Sequence, residues 1–137
     1  MPATATVQIA AVASACLIAL VVAFQVALAI GARWGPAAYG GRFVDDDGRL
    51  PTRYRVSSAI AALILSGAAW LVLVAGSAIG RGPVPERVLT ATMWALVVLF
   101  ALNTLANLSG KHPVERFGAG ALTAVLTVLC LLIALER

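Results

Sequence analysis

The sequence predicts an all-α fold: a four-transmembrane-helix antiparallel bundle with one long first loop, occupying residues 1-137 as a single integral membrane domain. Three observations carry this. Four apolar runs free of charge, about 7-30, 56-79, 88-108 and 117-135, fall within the roughly 17–25 residues that a bilayer-spanning helix takes. The whole chain is 61% hydrophobic and 12% charged, with a mean hydropathy of +0.97, against about 45–50% apolar and ~25% charged in soluble domains, which excludes a water-soluble core. Finally, Arg33 to Arg55 is the only long polar segment and holds five of the nine arginines and three of the six acids. The other two connections are short Gly- and Pro-containing turns, and links so short demand antiparallel neighbours.

The first run reads as a membrane span rather than a signal peptide, because no basic segment precedes it and it is too long for the apolar part of a leader. Within it Ala11, Ala15, Ala19, Ala23 and Ala27 recur at a spacing of four, which predicts a ridge of small residues allowing close approach of a second helix. The polar loop that follows contains Trp34, Tyr39 and Tyr54, residue types suited to an interfacial aromatic belt, with arginines reaching for headgroups. Asp45, Asp46 and Asp47 are consecutive, whereas a calcium loop places its oxygen ligands at alternate positions, so the expectation is a solvated turn. Pro51 and Pro113 are placed to start the second and fourth helices.

The second run carries Ser57, Ser58, Ser66 and Ser77, whose hydroxyls can return to the helix backbone, and a Gly76-Gly80 pair at its far end. The third run contains Asn103 and Asn107, four apart, which predicts that both amides face protein rather than lipid. In the fourth run Thr123, Thr127 and Cys130 share a face, and Glu136 and Arg137 are expected at the surface. Cys16 and Cys130 read as small hydrophobes at different depths, not as a disulfide.

Basic residues orient the chain. The loops at 31-55 and 109-116 contain Arg33, Arg42, Arg49, Arg53, Arg55, Lys111 and Arg116, seven in all, against Arg81, Arg87 and Arg137 on the opposite side. The positive-inside bias then predicts cytoplasmic loops one and three, with both termini outside. The net charge of +4 is thereby assigned to membrane lipids and topology rather than to nucleic acid.

Reaction chemistry is narrowed by what the runs lack. None contains Asp, Glu, Lys, Arg or His, so a proton-coupled exporter has no titratable group at membrane depth. The cysteine pair of a thiol-redox enzyme, the intramembrane histidine of a serine hydrolase and the spaced aspartates of an alcohol phosphotransferase are missing too. No catalytic residue, cofactor or metal ligand is assigned, and His112 by itself makes no metal site. What remains is a polar cup at one end of the bundle. Gln25 and Asn103 fall at one depth, with Asn107, Ser57, Ser58, Arg33, Trp34, Tyr39, Glu115 and Arg116 just above. These residues either link helices or line a ligand site.

Phe24 to Gly41 (FQVALAIGARWGPAAYGG), the Leu50-Pro51 pair with its arginines, and the asparagine-bearing end of helix three followed by ERFGAG together resemble a group of uncharacterised bacterial four-helix integral membrane proteins. The resemblance implies the fold and a bacterial plasma membrane, and no activity. The expectation is therefore a non-enzymatic binding, assembly or accessory module, whose partners are membrane lipids and a second copy or another membrane protein. Two other readings are a passive transporter or channel for a neutral solute, built as an oligomer, and an enzyme acting on a lipid headgroup with Glu115 as acid or base.

Overall fold

The computed structural model describes residues 4–137. Its helices are α1 (Ala5–Ala29), α2 (Thr52–Ala75), α3 (Glu86–Leu108) and α4 (Gly120–Leu135). A π-helical segment, Val114–Ala119, leads into α4, and two short 3₁₀ turns, Gly35–Ala37 and Tyr39–Gly41, lie in the first loop. Counting Val114–Leu135 as one span, all four are long and apolar enough to cross a membrane. They form the expected antiparallel bundle, and there is no strand among the described residues.

The ends differ from the sequence reading where polar groups satisfy helix termini. Thr4 caps α1 through its hydroxyl, which accepts from the Val7 amide. Pro51 directly precedes α2, which starts at Thr52 and so takes Arg53, Tyr54 and Arg55 into its first turn. Arg55 can then donate from Nε to the Ala29 carbonyl at 3.0 Å, satisfying one of the orphan acceptors at the end of α1. At its other end α2 stops at Ala75 rather than near residue 79. Gly76 caps it, and a Cβ placed there would stand 2.2 Å from Ala11 Cβ. A helix continued with any other residue would drive α1 and α2 apart.

The expected alanine ridge does not lie on one buried face, Ala15 and Ala27 being only half-buried. Ala11 is fully buried, but Ala19 and Ala23 are exposed. A spacing of four overshoots one turn by ~40° at each step, so a strict series walks around the helix. The face of α1 that does turn inward is Val7, Ala10, Ala11, Ser14 and Ile18, spaced by three and four so that the overshoots cancel. It meets Val72 of α2, Met93 of α3, and Leu126, Cys130 and Ile133 of α4 in one apolar core. Cys130 is buried against Ser14 while Cys16 is exposed, and both thiols are free.

α3 and α4 are joined by a small polar network. The Thr104 hydroxyl shares its one proton between the Phe100 carbonyl at 2.8 Å and Thr123 Oγ1 at 2.9 Å, and the Asn107 amide reaches the same Thr123 oxygen at 3.4 Å. At the opposite end the expectation for the C-terminus holds for Glu136, which is exposed, and is corrected for Arg137. The Arg137 side chain is only 11% exposed; it donates to the Ala75 carbonyl and pairs with Glu86, which also pairs with Arg81. The guanidinium finds a helix C-terminal carbonyl and a carboxylate together, and both favour a cation there.

Candidate functional site

The first loop is a folded cap. Gly35 donates its amide to the Gly48 carbonyl, closing residues 35–48 into a compact loop, while the Asp45–Arg49 turn is held by Asp45 N–H to Arg49 O and Gly48 N–H to Asp45 O. The three aspartates therefore sit on an exposed turn, Asp47 pairing with Arg49. Beneath it Leu28, Ala38 and Leu50 form a second apolar cluster, walled by Phe24, Tyr39 and Tyr54. Phe43 stacks on Tyr54 at 4.3 Å, Tyr39 tilts against Tyr54 at 5.3 Å, and Arg53 covers the Tyr54 ring. The aromatic residues read as a lipid belt are thus divided. Tyr39 and Tyr54 build the cap, and only Trp34, 52% exposed, looks outward.

Two contacts fasten the cap to the bundle, and both depend on unusual backbone. Tyr39 (φ 52°), Gly40 (φ 71°) and Gly41 (φ 67°) are successive left-handed residues. For a bulky residue such as Tyr39 this conformation is strained and persists only where surrounding contacts enforce it. It carries the Tyr39 hydroxyl to within 3.1 Å of the buried Ser58 hydroxyl on α2. It also turns the Gly40 amide toward the entry of α4, where it donates to Glu115 Oε1 at 2.9 Å.

Among the described residues Glu115 is the one buried acid, at 6% exposure. Its position in the first turn of the segment entering α4 suits a negative charge. Its second oxygen, Oε2, has no hydrogen-bond partner and lies over Gly110, where an added Cβ would approach it to 2.5 Å. The absence of a side chain at Gly110 is what lets the carboxylate lie flat between the third loop and the cap. The π-helical turn around it shifts the register of the span at this point; such turns often mark functional positions.

Other residues of the expected cup are dispersed. Asn107 is committed to Thr123, as described. Asn103 is corrected outright: it is exposed, and its amide donates back to the Leu99 carbonyl one turn earlier at 2.9 Å. That local bond removes the need for a partner on another helix, and the rotation of four residues brings Asn107, not Asn103, toward α4. Of the two serines expected there, Ser57 is exposed and only Ser58 is buried, under the Tyr39 hydroxyl. Gln25 lies on the inward side of α1 with Oε1 buried and unpartnered. Arg33 and Arg116 are exposed, Arg116 lying over the Phe117 ring.

The structure also brings together residues that the sequence reading kept apart. Phe24 on α1, Arg33, Trp34, Pro36 and Ala37 of the cap, and His112 and Val114 of the third connection line a groove of ≈ 380 Å³. Phe24 and Trp34 stack nearly parallel, with centroids 6.0 Å apart and an interplanar angle of 7°. His112 accepts the Val114 amide on Nδ1 at 3.2 Å, leaving Nε2 as its free ring nitrogen. Phe24 and Trp34, ten positions apart, were the available signal, since the chain must turn back on itself at Gly31 for the rings to meet.

These features define a four-helix bundle of membrane-spanning type, closed at one end by a folded polar and aromatic cap. Comparison with protein-family models, curated proteins and solved structures finds no match to the chain.

Proposed function

We propose that the protein is a non-enzymatic binding or assembly module of the membrane, working through the cap rather than through a path along the bundle axis. The observation that supports this is the Gly40–Glu115 bond. It secures the first loop across the bundle end with the one buried acid, where an open vestibule would serve a transporter better. Below the cap, Ile18, Val72, Met93, Leu126 and Ile133 are all fully buried, so the passive-transporter reading would need a passage between copies of the chain. The lipid-enzyme reading draws on Glu115, yet one of its oxygens is used by Gly40 and the other is covered at Gly110.

The resemblance supports a bacterial plasma (inner) membrane, and the basic-residue asymmetry supports an orientation with 31-55 and 109-116 cytoplasmic and the termini outside. Membrane lipids are the first partners of this surface, with a second copy or another membrane protein alongside.

Reconstitution tests the reading. Vesicles containing the protein should show no faster equilibration of glycerol or urea than protein-free vesicles, and rapid equilibration would favour the transporter. A cytoplasm-dependent reporter inserted beside Asp46 or Lys111 should be active and one at the C-terminus silent; the opposite pattern overturns the orientation.

A further inference from the structure

We propose that the groove between the end of α1 and the entry of α4 is a site for an anionic phospholipid, one acyl chain lying along the stacked Phe24 and Trp34 rings and the phosphate held between Arg33 and His112. This rests on the reading of the cap as a binding surface and names the ligand class it takes. The groove has the ≈ 380 Å³ of a small-molecule site, and its walls are almost entirely carbon. It opens where two membrane spans end, α1 at Ala29 and the last span at Val114, which is the depth of lipid headgroups.

Charge complementarity selects the headgroup. Arg33 is exposed and makes no ion pair among the described residues, and His112 keeps Nε2 free because Nδ1 is occupied by the Val114 amide. Lys111 stands next to His112 and is exposed. No acid lines the groove: Glu115 is buried toward Gly40, Asp47 is paired with Arg49, and Asp45 and Asp46 stand on the exposed outer turn. Basic pockets between spans, open at the membrane surface, suit phosphate-bearing anionic headgroups. An arginine fork matches the phosphate oxygens, and Trp34 supplies an apolar body at the interface.

Trp34 makes the site observable. With Trp70→Phe and Trp94→Phe, the remaining indole reports on the groove, and chains brominated near the headgroup quench it by contact. In vesicles mixing brominated phosphatidylglycerol with unlabelled phosphatidylcholine, quenching should exceed that from the converse mixture, and the fit should give at least ~5-fold preference, the weight of one cation at a membrane surface. Arg33→Gln should remove most of that preference, His112→Gln part of it, and Arg49→Gln, away from the groove, none. Equal quenching by the two lipids overturns the site, as does an equal loss with Arg49→Gln, which would signify general surface attraction. Competition by soluble glycerol phosphate at matched concentration would assign the cations to a free anion instead and overturn the lipid assignment. Solute flux in the same vesicles separates the two levels: a missing lipid preference without flux removes only this site, whereas flux removes the reading of the cap beneath it.

Discussion

The Gly40 amide donates to Glu115 Oε1 at 2.9 Å across 75 positions of sequence, and this bond determines whether the first loop is a tether or a cap. A hydrogen bond to a charged group contributes ~1.5–3 kcal/mol in a protected site. Glu115→Ala should lower stability in detergent by about that much and expose the cap, read as faster tryptic cleavage after Arg42 and Arg49. Glu115→Gln keeps an acceptor for Gly40 and should lose less than half as much. Equal cleavage of all three proteins would mean that Tyr39 and the aromatic cluster hold the cap without the carboxylate.

Of the alanines spaced by four on α1, Ala11 alone is fully buried, and it is predicted to bear the tight helix contact. Ala11→Leu places three extra carbons against Gly76, where there is no room even for a Cβ, and overpacking of this kind typically costs ~1–3 kcal/mol. Ala19→Leu, on an exposed face, should leave the thermal midpoint of the purified protein unchanged. If Ala19→Leu destabilises as much as Ala11→Leu, that face is covered by a second copy of the chain.

The contrast between these two alanines shows what is legible in such a sequence. Span number, length and antiparallel order follow from hydropathy and loop length, because lipid forces backbone hydrogen bonds inside each helix. Helix rotation does not follow so directly: with apolar residues on every face, lipid-facing and core-facing sides look alike, and Ala19 and Asn103 both turn outward against expectation. The cap was half legible. Tyr39, Arg33, Trp34 and Glu115 stood out as polar or amphipathic residues at one end, but the Gly40–Glu115 bond joins a backbone group to a side chain and leaves no pattern in residue spacing. The double glycine after Tyr39 was the clue to a left-handed turn.

The amides provide the last prediction, because the structure separates residues that a shared depth would group together. Asn103 is exposed and bonded within its own helix, so Asn103→Leu exchanges a polar group at the lipid boundary for an apolar one and should be neutral or stabilising. Asn107→Leu removes a long bond to Thr123 and should cost ~0.6 kcal/mol, the average for a hydrogen bond between spans. Thr123→Val should cost more than either, since Thr104 and Asn107 both converge on that hydroxyl. Gln25→Leu should stabilise: its Oε1 is buried without a partner, and a buried acceptor left unmet costs ~1–3 kcal/mol. No hydrogen bond joins Gln25 to Asn103, so the double leucine variant should equal the sum of the single changes within ~0.3–0.5 kcal/mol. Thermal and chemical unfolding of the four single variants and the double variant in one detergent measures this. A larger coupling between Gln25 and Asn103 would mean that something bound between the helices touches both amides, and would restore the inner cup as a ligand site.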